Sequence, residues 1–284
     1  MDTPELTHLP GCPAPAKLNL FLHVVGRRAD GYHLLQTAFR LLDWGDMLSF
    51  TLRTDGRIRR TGVLSGVPEE RDLTVRAARL LRERTGTHYG ADITIAKHLP
   101  MGGGLGGGSS DAATTLIALN RLWRTGLDRE ALAALGLLLG ADVPFFLFGR
   151  DAFAEGIGEQ LQPLHLEPAW YVIVAPDVEV PTHAIFAAEE LTRNSEPITI
   201  ANFAPRTTRN DLQAIACGLY PEIAAVVDWL GQYAPARMTG SGACVFAQVG
   251  NEDIAERIVA ACPAPWRAWK ARSLLRHPLR DWLD

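Results

Sequence analysis

The chain has 284 residues, 47% of them hydrophobic and 21% charged, with a formal net charge of −4. That length and balance give a folded chain with a substantial core and exclude a disordered, collagen-like or polybasic protein, so no nucleic-acid polymer is expected as a partner. Four cysteines without metal-ligand or disulfide spacing, no basic-then-apolar leader, and a most apolar stretch (132–148) broken by Asp142 and Pro144 lead to the expectation of a cytoplasmic protein with no membrane partner.

Residues 1–12 read as a short, loosely ordered polar tail. Alternation from Ala16 to Val24 predicts a strand with Lys17, Asn19 and Phe21 on one face and Leu18, Leu20 and Leu22 on the other. A lysine and an asparagine side by side suit a polar cleft and a solvated strand face equally. The turn that follows, Arg27-Arg28-Ala29-Asp30-Gly31-Tyr32-His33, presents a tyrosine and a histidine that could stack on and hydrogen-bond a base, although an exposed turn carries such residues too.

Farther on, Ala91 to Lys97 alternates apolar and polar side chains, the pattern of a strand with one buried face. After it stands Pro100-Met101-Gly102-Gly103-Gly104-Leu105-Gly106-Gly107-Gly108-Ser109-Ser110, in which six of the seven residues from Gly102 to Gly108 are glycine. Glycine loses the most backbone entropy on ordering, so such a cluster persists where the backbone must approach a ligand closely or take positive φ. Ser109, Ser110 and Asp111 offer N-cap side chains to a helix read over Ala112 to Leu122. Strand, glycine loop and helix N-terminus together make an anion site, since unpaired N–H groups and the positive end of the helix dipole converge there. A Walker loop is rejected, because Gly108 is followed by Ser109 and not by Lys. A dinucleotide fingerprint is formally met by Gly102, Gly104 and Gly107, but its acidic partner, Asp128, would sit in a polar turn.

Asp142 is a lone carboxylate in an apolar segment between Gly140 and Pro144. Burying an unpaired charge is expensive, so Asp142 is expected beside a cation or in a cleft; a helix-cap role is the bland alternative. Residues 153–160 form a turn without a readable role. A boundary is read after the apolar strand ending at Ala175, dividing the chain into units 1–175 and 176–284. In the second unit, Met238-Thr239-Gly240-Ser241-Gly242-Ala243 precedes an apolar strand, and its two glycines allow close approach to a ligand or to the first glycine loop.

The three segments Pro15-Ala16-Lys17-Leu18-Asn19, Gly102 to Ser110 and Met238 to Ala243 resemble, in order, the motifs of the galactokinase, homoserine kinase, mevalonate kinase and phosphomevalonate kinase superfamily. The Asp30-Gly31-Tyr32-His33 turn, Gly140-Ala141-Asp142-Val143-Pro144 and Asn210-Asp211-Leu212 are similar to the subgroup acting on 4-diphosphocytidyl-2-C-methyl-D-erythritol. The resemblance implies an α+β, two-domain small-molecule kinase fold with its active site in the interdomain cleft. It implies phosphoryl transfer from ATP, with Mg2+ whose ligands stay unassigned, to the 2-hydroxyl of a small substrate carrying a cytidine diphosphate group. By the same resemblance Asp142 is the catalytic aspartate and Lys17 its partner. Pro100, Met101, Gly102, Gly103, Gly104, Leu105, Gly106, Gly107, Gly108, Ser109 and Ser110 bind the phosphates, Asn19 lines the acceptor site, and Tyr32, His33 and Phe186 hold the cytosine. Asp72 stands near the adenine pocket where the family commonly has asparagine. Another small-molecule kinase of the superfamily and a nonenzymatic nucleotide-binding protein are the alternatives.

Overall fold

Two long strands, β1 (His8–Arg27) and β2 (His33–Arg53), pair antiparallel through the turn at Asp30-Gly31 and form the frame of the computed structural model, which describes residues 6–204 and 207–283. The expected polar tail is corrected over its second half. His8 to Cys12 belongs to β1, because Leu9 and Cys12 find buried places opposite Phe50 and Leu48. Around this pair lie β3 (Ile58–Thr61), α1 (Leu73–Thr85), β4 (Gly90–Ala96), α2 (Gly107–Leu122), α3 (Arg129–Leu139), α4 (Val143–Phe148), β5 (Ala152–Glu155) and β6 (Gln160–Pro163). The resulting six-stranded sheet runs β3-β4-β2-β5-β6, with β1 paired to β2. The helices cover one face of it, over a core that includes Leu48, Phe50, Ile93, Leu116, Leu119, Phe145 and Phe146. Full burial of each such side chain is worth about 1.5–3 kcal/mol.

β7 (Trp170–Ala175), α5 (Thr182–Ala187), α6 (Asp211–Leu219), α7 (Pro221–Gly231), β8 (Ala236–Met238), β9 (Val245–Val249), α8 (Glu252–Ala260) and β10 (Arg267–Arg272) follow. A second, four-stranded sheet runs β10-β7-β9-β8. β7 pairs antiparallel with both β9 and β10, so the chain changes sheets between Pro163 and Trp170, earlier than the break read after Ala175. An apolar strand announces burial on both faces but not which sheet it joins. A separate core between the two sheets ties the halves together through Leu18, Leu20, Phe21 and Ala38 on one side and Tyr171, Ile173 and Phe246 on the other.

Two local departures from simple periodicity matter for the site. The register of β1 against β2 shifts between Asn19 and Leu22, so strict alternation fails there. Phe21 turns into the inter-sheet core, and Leu22 joins Lys17 and Asn19 on the cavity wall. Moreover, α2 begins inside the glycine run, with Gly106 (φ 73°) at the N-cap, and not at the serine pair. The left-handed backbone lets Gly106 turn the chain into the helix without a side-chain cap, and Ser110 already donates its N–H to the Gly106 carbonyl (2.8 Å).

After β10 the chain returns to the first sheet. Leu274 N donates to Leu41 O (2.9 Å), His277 N to Gly149 O (2.8 Å) and Arg280 Nη1 to Phe148 O (2.6 Å), so this segment binds the C-terminal end of α4. His277 is buried, its Nδ1 accepts from Leu279 N (3.1 Å), and burial pushes its pKa down to about 4. The unfolded chain takes up a proton near the ordinary value of 6.5 while the native one does not, so stability is fully present above 6.5 and is lost as pH falls towards 4. The expected loss from this residue is up to about 1.4 kcal/mol per pH unit within that window. Urea unfolding of His277→Asn against wild type at several pH values from 7 to 4 should give a flatter pH dependence for the variant. Parallel curves would rule out His277 as the source.

Candidate active site

The three motifs that are distant in sequence meet at the glycine run. Lys17 N donates to Leu105 O (2.9 Å), Ala243 N to Gly102 O (3.3 Å), Cys244 N to Gly103 O (3.2 Å) and Thr239 Oγ1 to Gly104 O (3.4 Å). The close approach expected of the Gly240–Gly242 turn is therefore made to the first glycine loop. Asn210 fastens that turn in place: its Nδ2 donates to Met238 O and Gly240 O (both 2.8 Å), and its Oδ1 caps α6 at Leu212 N (3.0 Å). Asp211 does similar work for β1, accepting from Val24 N (2.8 Å) and Ser195 Oγ (2.6 Å). In its sheet β4 is flanked by β3 and β2, both earlier in the chain, and among the described residues no strand after α2 pairs with it, so the loop does not open a βαβ unit and the dinucleotide reading falls.

Two cavities flank the loop. One, of about 450 Å³, is lined by Asp72, Leu73, Lys97, the run from Pro100 to Ser109, and Asp111. The other, of about 380 Å³, is lined by Lys17, Asn19, Thr37, Asp142, Phe186 and the Gly240–Gly242 turn, among others. Gly102, Gly104, Gly106 and Ser109 belong to both. A polyphosphate lying along the first cavity would thus end where the second begins. Within the run Gly102, Gly104 and Gly106 all have positive φ (67°, 74° and 73°). Ser109 faces both cavities, whereas Ser110 is fully buried with its Oγ unpartnered, which separates the two serines that the sequence left together.

Lys17 and Asp142 are brought together in the second cavity, with Nζ 3.3 Å from Oδ2. Lys17 is almost wholly buried, donates to Asn19 Oδ1 (2.5 Å) and lies 5.2 Å from the Phe39 ring centre. Asn19 is oriented in turn by Thr37 Oγ1 (2.9 Å from Nδ2) and by Thr239 Oγ1 (3.0 Å from its N). The polar face of β1 is therefore a cavity wall and not a solvated edge. Asp142 stands at the N-cap position of α4 but accepts no capping hydrogen bond, and its side chain is 34% exposed to the cleft. The cap alternative is thereby removed.

The expected base site is assembled only in part. Phe186 lines the second cavity and stacks on His33, with ring centres 5.0 Å apart at 30°. Tyr32 is 61% exposed at the turn. Burial, and then the charges of Arg193 and Arg27, lower the His33 pKa.

Several contacts at the site escaped the sequence reading. Lys97 Nζ bonds to Asp46 and to Asp111 Oδ2 (2.9 Å), and Asp46 also accepts from His98 N (2.6 Å) and Leu99 N (2.9 Å), which anchors the chain as it enters the run. Burial raises the Asp111 pKa against the pull of Lys97; burial opposes the Lys97 charge too, but Asp111 and Asp46 outweigh it and raise that pKa as well. Ile157 and Gly158, in the turn without a readable role, line the second cavity. Asp72 caps α1 through Thr74 N (2.8 Å) and pairs with Arg60 (2.6 Å), so its carboxylate in the first cavity is already balanced by a guanidinium. Asp46, Lys97 and Asp111 are far apart in sequence, as are Arg60 and Asp72, and a lone Lys or Asp carries no signal by spacing.

Comparison with known proteins places the chain in a family. The GHMP kinases N terminal domain matches residues 72–150, and the GHMP kinases C terminal domain matches residues 188–268. A 4-diphosphocytidyl-2-C-methyl-D-erythritol kinase of Aromatoleum aromaticum is 73% identical over 283 residues, covering 100% of both chains. One from an Azoarcus species is 68% identical over 276 residues, covering 97% of this chain and 98% of the relative. A crystal structure of 4-(cytidine 5'-diphospho)-2C-methyl-D-erythritol kinase superposes with a TM-score of 0.79 at 35% identity, covering 92% of this chain and 98% of the other. At that identity over full length, and with that fold, the chain belongs to the 4-diphosphocytidyl-2-C-methyl-D-erythritol kinase family of the GHMP kinases.

Proposed function

We propose that the protein transfers the γ-phosphoryl group of ATP to the 2-hydroxyl of 4-diphosphocytidyl-2-C-methyl-D-erythritol, a step of non-mevalonate isoprenoid precursor synthesis. The observation that carries this reading is the sharing of Gly102, Gly104, Gly106 and Ser109 by two cavities, with Lys17 and Asp142 in the second. Phosphoryl transfer is mainly positioning and charge stabilisation, and a donor cavity abutting an acceptor cavity at one loop meets the positioning need.

In this reading the nucleotide lies in the first cavity with its phosphates on the loop amides and the N-terminus of α2. Asp142 accepts the proton of the acceptor hydroxyl, and Lys17, 3.3 Å from that carboxylate, offsets charge on the transferring group. Asn19 holds Lys17 and faces the acceptor. Mg2+ would be held mostly through phosphate oxygens, with Ser109, which lines both cavities, as a protein ligand. Bound there, Mg2+ would neutralise charge on the β- and γ-phosphates. Tyr32, His33 and Phe186 take the cytosine. A reducing, cytoplasmic setting is supported by four cysteines that are all free thiols.

The test is transfer from Mg2+-ATP to 4-diphosphocytidyl-2-C-methyl-D-erythritol compared with methylerythritol 4-phosphate, which lacks the cytidyl group. Transfer to the first alone is expected. Equal transfer to both would withdraw base recognition, and transfer to neither by folded, ATP-binding protein would withdraw the substrate.

A further inference from the structure

Arg193 lies six residues beyond the end of α5 and spends its whole guanidinium on the neighbourhood of His33 and Phe186. Its Nη2 donates to Phe186 O (3.2 Å) and Ala188 O (2.6 Å), its Nη1 to Glu189 O and Leu191 O (both 3.2 Å), and its Nε to His33 Nε2 (3.2 Å). These carbonyls lie at and just beyond the C-terminal end of α5, and one side chain collects them. The same group presses the Phe186 helix against the turn that carries His33, where the two rings stack. An arginine in a protein only donates and does not deprotonate, so the His33 Nε2 that it addresses must be an acceptor. A neutral imidazole with Nε2 accepting carries its hydrogen on Nδ1.

We propose that Arg193 is a specificity-positioning residue, which locks His33 in the tautomer protonated on Nδ1 and so fixes the ring as a hydrogen-bond donor towards a pyrimidine base. This rests on the reading of His33 and Phe186 as part of the base site. The Nδ1-protonated form is the minor one for histidine in water, so the lock changes what the ring presents. A donor suits the ring nitrogen and carbonyl acceptors of cytosine and is wasted on its exocyclic amine. The charged groups facing His33, Arg193 and Arg27, are both cations and act with burial to keep the ring neutral. A protonated imidazole would lose the contact to Arg193 altogether.

The experiment uses the full chain labelled with 15N-histidine, the His33 signals being assigned by their loss in His33→Asn. The wild-type spectrum is expected to show the Nδ1-protonated pattern, and a proton on Nε2 would overturn the proposal with no variant needed. Arg193→Lys, which keeps the charge but not the fork, and Arg193→Ala should both shift His33 towards the Nε2-protonated form. Loss of one neutral hydrogen bond should raise the acceptor KM by about 3- to 10-fold, with the ATP KM within about twofold. Equal rises in both KM values would give Arg193 a general structural role and overturn the proposal. If His33→Asn raises the acceptor KM and Arg193→Lys does not, the proposal fails and the base site stands. If the tautomer is as expected but His33→Asn leaves the acceptor KM unchanged, the base-site reading fails and the specificity role with it.

Discussion

Asp142→Asn is expected to lower kcat by about 10²- to 10⁴-fold, the usual worth of a positioned general base, with the ATP KM close to wild type. The amide has nearly the shape of the carboxylate and keeps an acceptor oxygen towards Lys17, but it cannot take the hydroxyl proton. Stability should change little, by about 1–2 kcal/mol, since the lost interaction is one partly exposed ion pair and no capping bond. That separation of activity from stability makes the variant informative. If Lys17 works through Asp142, then Lys17→Met combined with Asp142→Asn should cost much less than the product of the two single losses. Single-turnover measurements with saturating ATP would isolate the chemical step. A variant with near-normal kcat would remove Asp142 from the role of base.

Much of this site was legible because its chemistry is concentrated in short segments. Six glycines in seven residues have no inexpensive explanation other than close backbone approach, and Asp142 in an apolar segment requires a partner or a cleft. Lys17 and Asn19 could be placed on one face by strand alternation alone. Other features were illegible for physical reasons. The slip at Asn19–Leu22 that turns Phe21 inward depends on β2 and on the second sheet, neither of which leaves a trace in the local pattern. The start of α2 at Gly107 defeats a capping argument based on serine, because loop backbone in the left-handed region does the work that a side chain ordinarily does. Asp46, Lys97 and Asp111 are 51 and 14 residues apart along the chain and become a unit only after β2, β4 and α2 have packed. Asn210 looks like an ordinary helix cap, and half of its function, holding the Met238 and Gly240 carbonyls, is invisible without the fold.

The largest structural effect is expected from Gly104→Ala, and its cause is not the one that a phosphate loop suggests. A Cβ at Gly104 would lie 2.2 Å from the Thr239 carbonyl oxygen and 3.1 Å from that of Gly242, and the backbone there has φ 74°. Both obstacles are main chain of the turn that Asn210 pins, so neither can swing aside as a flexible side chain would. The added carbon must therefore push the glycine run away from the turn, breaking the junction at which the two cavities meet. Overpacking of this kind costs about 1–3 kcal/mol, and the left-handed backbone adds about 1–2 kcal/mol for a residue with a side chain. Gly102→Ala supplies the control, because Gly102 has a similar φ of 67° but no heavy atom within 4 Å of the added carbon. It should pay only the backbone term. Thermal unfolding of the two variants, with ATP affinity by calorimetry, should show Gly104→Ala losing both stability and at least about 10²-fold in affinity, the equivalent of about 2.7 kcal/mol. Gly102→Ala should keep most of each. Equal losses in the two would mean that positive φ alone demands glycine along the run. Full stability with lost ATP affinity in Gly104→Ala would instead return the obstruction to the nucleotide itself.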